Sequence, residues 1–150
     1  MPSNRITIAF AGATLAAALT SPVALGATPA PDGWSPLAMT KECSSFAGQV
    51  GDHCTIVTSN VAAIPAGSLA IYYGPILEAT FISSSVVLVA GDGDTAVGYC
   101  SVGPSGTPLG MCSFTGGSGS LAGFRAIAAV TVDAQGIWSW DGFYQLPAAG

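Results

Sequence analysis

Phe124-Arg125-Ala126-Ile127-Ala128-Ala129-Val130-Thr131-Val132 is the stretch on which the fold turns. It carries β-branched residues and no apolar stripe at i, i+3, i+4, so it reads as a strand. One parity holds Phe124, Ala126, Ala128, Val130 and Val132, and the other holds Arg125, Ile127, Ala129 and Thr131, which is also largely apolar. Val86-Val87-Leu88-Val89-Ala90 is apolar on both parities as well. An antiparallel strand with one wet face alternates more cleanly. A strand that is apolar on both sides must bury both. A small barrel does this by filling its lumen with one face and covering the other with a second layer or a neighbouring subunit. The pattern therefore predicts a homo-oligomer. A two-sheet sandwich with small Ala and Ser side chains left exposed meets the same pattern with no partner.

Outward from this stretch the chain keeps the same character. Short runs of Val, Ile, Thr, Phe, Tyr and Trp are divided by Gly, Pro, Asp and Ser clusters, and sustained helical patterns are lacking. Strands are expected over 43–50, 53–59, 68–73, 78–90, 95–102, 110–114, 120–132 and 137–146. Gly91-Asp92-Gly93-Asp94 offers the Asp-Gly pair of a tight hairpin, and Gly116-Gly117-Ser118-Gly119 permits positive φ in another. The count predicts an all-β domain over residues 41–150, either barrel or sandwich. The Pro-rich residues 28–40 read as an extended leader.

The chain has 150 residues, and three Lys and Arg side chains face eight carboxylates for a formal net charge of −5. So few cations exclude a binder of nucleic-acid phosphates. Residues 1–27 have the form of a secretory signal. Arg5 precedes an apolar run, Pro22 breaks it, and Ala24 and Gly26 supply small residues at a cleavage site. The apolar run falls short of the ~20 residues of a bilayer span. Signal removal would leave Lys41 and Arg125 against the eight carboxylates, a net of −6. Cys43, Cys54, Cys100 and Cys112 all lie beyond the signal, and an even count there reads as two disulfides. Cys43–Cys54 and Cys100–Cys112 are the favoured pairs, because each brackets a short Gly- or Pro-containing connection. The expected location is secreted, periplasmic or in the cell envelope.

Motifs with chemical meaning are few. Ser118 lacks the G-x-S-x-G elbow, and His53 with the adjacent Asp52 would point to opposite faces of a strand. Wide cysteine spacing argues against zinc at His53. Asp92 and Asp94 lack a downstream acidic partner for calcium. No metal site and no cofactor are expected. Glu78 is the one carboxylate that opens a long apolar strand. Pointing into a lumen, it would gain a raised pKa and suit proton transfer; at the strand end it would be an ordinary surface residue. Trp138, Trp140 and Tyr144 share one parity, while Tyr72, Tyr99 and Phe124 lie on other strands. These six are the candidate ligand-binding residues, since aromatic rings with polar tips line small hydrophobic sites. Plain core packing accounts for them equally well.

Gly110-Met111-Cys112-Ser113-Phe114-Thr115-Gly116-Gly117-Ser118-Gly119-Ser120-Leu121-Ala122-Gly123-Phe124-Arg125-Ala126 resembles the Gly-Gly-Thr-Gly-x-Phe turn and following strand of the allene oxide cyclase and dirigent barrel family. Gly136-Ile137-Trp138-Ser139-Trp140-Asp141-Gly142-Phe143-Tyr144 looks like the last strand of its secreted bacterial members. The likeness covers residues 78–146. Ser118 stands where the family has Thr, and Leu121 where it has Phe. The resemblance implies an eight-stranded antiparallel barrel, commonly trimeric, with an apolar cavity that binds a small hydrophobic molecule. It also implies cofactor-free chemistry of the isomerase or cyclase kind. The family's catalytic residues find no matching motif here. A non-catalytic structural or interaction protein with a filled barrel or sandwich, such as an adhesion module, is the alternative.

Overall fold

A computed structural model of the chain describes residues 29–73 and 82–147. Eight strands follow in order: β1 (Ser35–Glu42), β2 (His53–Ser59), β3 (Leu69–Tyr72), β4 (Ile82–Val89), β5 (Thr95–Val102), β6 (Gly110–Gly117), β7 (Arg125–Val132) and β8 (Trp138–Gln145). Each pairs antiparallel with the next, and β8 returns to β1 from Ser35↔Tyr144 to Lys41↔Trp138. The sheet is therefore a closed eight-stranded barrel, and closure leaves no open edge. A 3-10 turn at Gly119–Leu121 is the one helical element among the described residues.

The alternation that looked ambiguous in sequence resolves into two surfaces. Val86, Leu88, Ala126, Ala128 and Val130 point inward and are buried, whereas Val97, Tyr99, Met111 and Ile127 lie exposed on the outside. Bulges interrupt the register between Thr40 and Lys41, where β2 carries the extra Val57, and between Val97 and Gly98, where β6 carries the extra Thr115. Such bulges add local bend and help a sheet to close. At Gly98 the close approach is explicit. A Cβ there would fall 2.4 Å from the Ser113 carbonyl oxygen and 2.6 Å from the Phe114 ring, so only glycine lets that ring lie across the strand.

Both favoured disulfides are present. Cys100 and Cys112 face each other directly across β5 and β6, and Cys43–Cys54 ties the first connection to β2. Two such bonds belong to a protein that matures in an oxidising compartment rather than the cytoplasm. No helix among the described residues is long and apolar enough to cross a membrane. The signal segment, residues 1–27, lies outside the described residues.

The N-terminal expectation needs correction. The first strand is Ser35–Glu42, inside the segment expected as a leader, and 43–50 is a loop. Pro36 suggested a breaker, but it sits near the strand start, where a missing N–H is tolerated. Leu37, Met39 and Lys41 alternate inward behind it. The following segment turns instead, with positive φ at Gly48 and Gly51. The Asp52 carboxylate accepts the amide N–H groups of Ala47 and Gln49 at 2.7 and 2.8 Å. A second difference lies before β7: residues 119–121 form the 3-10 turn and the strand begins at Arg125. Asp94 drives this turn by accepting the Ser120 N–H at 2.6 Å, so that carboxylate serves backbone geometry.

Candidate functional site

The register divides the barrel into two ends. Connections 60–68 and 118–124 lie at one end, and there Val61, Ile64, Leu121 and Phe124 are fully buried. Rings continue inward: Phe114 stands 6.0 Å from Phe124 and 5.4 Å from Trp140, centroid to centroid. This end is plugged. Connections 43–52, 103–109 and 133–137 lie at the other end, and below them the lumen keeps a cavity of about 200 Å³.

Its walls are mostly apolar. Trp138 and Trp140 come from β8, Val130 from β7, Val102 from β5, Cys112 from β6, and the Cys43–Cys54 disulfide forms part of the rim. Phe46 reaches in from the first connection and meets Tyr72 edge-on, at 5.2 Å and 72°. Asp52, the disulfide and an N–H bond from Gly51 to the Tyr72 carbonyl (2.8 Å) hold that connection in place. Amide donors from Gln49 and Ala47 hold the Asp52 carboxyl below its ordinary range.

Lys41 is the polar exception. It is the one lysine of the sequence, and it is only 3% exposed. Its Nζ donates a hydrogen bond to the Tyr72 hydroxyl. The ammonium also sits 4.1 Å from the centre of a Trp140 ring and 5.1 Å from that of Tyr72, within cation–π range. No carboxylate pairs with it among the described residues. Burial lowers its pKa to about 7. The same burial raises the Tyr72 hydroxyl well above its ordinary value. Trp140 is 1% exposed, and its indole N–H has no hydrogen-bond partner.

The six aromatic candidates separate. Tyr72, Trp138 and Trp140 come together around the cavity. Phe124 belongs to the plugged end with Tyr144, whose ring lies 6.1 Å away. Tyr99 departs from the lumen expectation. It is on the outer face of β5, where its hydroxyl meets that of Ser83, because the inward parity of that strand runs through Ala96, Gly98, Cys100 and Val102. Glu78 lies outside the described residues. Lys41 and Phe46 were not singled out from sequence. A lone lysine in step with Leu37 and Met39 was the available signal, hidden by the reading of 28–40 as a leader. Among the described residues no group of three or more His, Cys, Asp or Glu side chains is placed to hold a metal ion. The chain matches no protein-family model, no curated protein and no solved structure.

Proposed function

We propose that this is a secreted, allene oxide cyclase-like barrel that binds a small hydrophobic molecule in the open end of its lumen. The observation that carries the reading is the cavity of about 200 Å³ between Trp138, Trp140, Phe46 and Tyr72, in a barrel whose other end is filled. Drug-sized sites occupy about 300–1,000 Å³, so the ligand is smaller than those. Binding needs no metal or organic cofactor. Any reaction in the cavity would work by shape and exclusion of water, as in a cofactor-free isomerase or cyclase.

Filling the cavity tests the reading. Uncharged benzyl alcohol should quench or shift the fluorescence of the native protein, in which Trp138 and Trp140 line the site. Val130→Phe, which projects a ring into the space, should abolish that response while the variant still unfolds cooperatively. An equal response from both proteins would place binding elsewhere and defeat the proposal.

The outer row of Val97, Met111 and Ile127, the last 51% exposed, supports self-association of the barrel as a homo-oligomer, with the trimer as the expected form. Sedimentation at the mass of one chain would refute that part.

A further inference from the structure

The cavity has a one-sided chemistry. Three of the residues that line it carry side-chain donors: Lys41 its ammonium, Tyr72 its hydroxyl and Trp140 its indole N–H. An ammonium has three donor protons and an indole has one, with no acceptor on either. One Lys41 donor is used on Tyr72, and the Trp140 N–H is unused. The buried cation also lacks a counter-charge among the described residues, and a buried donor without a partner loses the hydrogen bond that water gave it. A chain with a single lysine has placed it here rather than on its surface. What would satisfy such a site is compact, anionic, rich in acceptors and attached to an apolar body that suits the tryptophan and valine walls.

We infer that the open-end cavity takes a small apolar carboxylic acid as its carboxylate, with Lys41 supplying the counter-charge and Trp140 a further donor. The inference rests on the ligand-binding reading above and adds the ligand's class to it. The cation–π contacts offset part of what burial costs the Lys41 charge, and a carboxylate completes the pair. A carboxylate draws an ammonium proton tighter, so binding above neutral pH takes up a proton. Around Lys41, Tyr72 on β3 is the titratable neighbour. The walls from β8 are tryptophans, Cys43, Cys54 and Cys112 are in disulfides, and no described carboxylate faces the site.

Benzoate and benzyl alcohol, compared by titration calorimetry at pH 6, test this. A charge-assisted hydrogen bond predicts that benzoate binds roughly tenfold or more tighter than the alcohol. Lys41→Met keeps the length and apolar character of the stem. It should erase the preference for benzoate over the alcohol. Trp140→Phe keeps a ring and removes the N–H, and should weaken benzoate several-fold. Equal affinity of the two compounds for the native protein would overturn the carboxylate inference and leave the cavity reading standing. A preference that survives in Lys41→Met would overturn it too. Failure of both compounds to bind at millimolar concentration would overturn the cavity reading and the inference with it.

Discussion

The two ends of the barrel are made from the same eight strands, and yet one end is solid and the other holds a cavity of about 200 Å³. At the plugged end, connection residues Val61, Ile64 and Leu121 fold back over Phe124 and complete the core. At the open end, the connection 43–52 contributes one ring, Phe46, and the inward position of β1 is Lys41 rather than an aliphatic residue. Closing a sheet thus does not decide whether its interior is packed. That depends on the volume and polarity of a few inward positions and on what the connections fold over them.

Cutting into the plugged end should have the largest effect. Phe124→Ala removes a fully buried ring that contacts Phe114 and Tyr144, and should lower the unfolding free energy by about 3–5 kcal/mol in a urea titration. Phe46→Ala at the open end should cost less than half as much. A comparable loss from the two would mean that the ends are packed alike.

The open end should gain from a change of the opposite kind. Lys41→Met removes a buried amine whose folded pKa, about 7, lies below its unfolded value of 10.5. Between those values the unfolded chain binds the extra proton, so native stability rises with pH from about 7 to 10.5 and the penalty is greatest below 7. Several kcal/mol of desolvation relieved, less the cost of leaving the Tyr72 hydroxyl unpaired, predicts that the variant is more stable by about 2 kcal/mol at pH 6. The gain should shrink as pH approaches 10. Tyr72 acts with the opposite slope beyond that point, because burial keeps its hydroxyl protonated while the unfolded chain ionises. Chemical denaturation of both proteins at pH 6, 8 and 9.5 checks the trend. A gain that is constant with pH would remove the charge from the explanation.

The finest discrimination adds methylene-sized groups to each end. Ala96→Val enlarges a fully buried residue of β5 at the plugged end and should cost about 1 kcal/mol, since filled cores resist added volume. Val130→Ile beside the cavity should be close to neutral, as there is space to receive it. Thermal melts of the two variants measure the difference, and a reversed order would contradict the assignment of the ends.

Much of the wall was readable from the residues alone. β5 was expected at 95–102 and is Thr95–Val102, because Asp-Gly turn chemistry and a Gly-Pro cluster bound it on both sides. The parity of Trp138 and Trp140 correctly placed both on one face of β8. The disulfide pairs followed from short turning connections. The first strand was not readable. A proline at its second position and the Pro-rich run before it argued against a strand, and the lysine on its inward parity turned out to be the polar centre of the candidate site. Tyr99 was misplaced because its parity, with Val97, carries the larger apolar side chains of β5, whereas the parity that faces inward holds only the small Ala96, Gly98 and Cys100 beside Val102.

Because the sole lysine is folded away, the barrel's outside offers acylating reagents no side-chain amine to attack. Mass addition at Lys41 would then report a reagent's entry through the open end of the lumen, since that is the space the lysine lines.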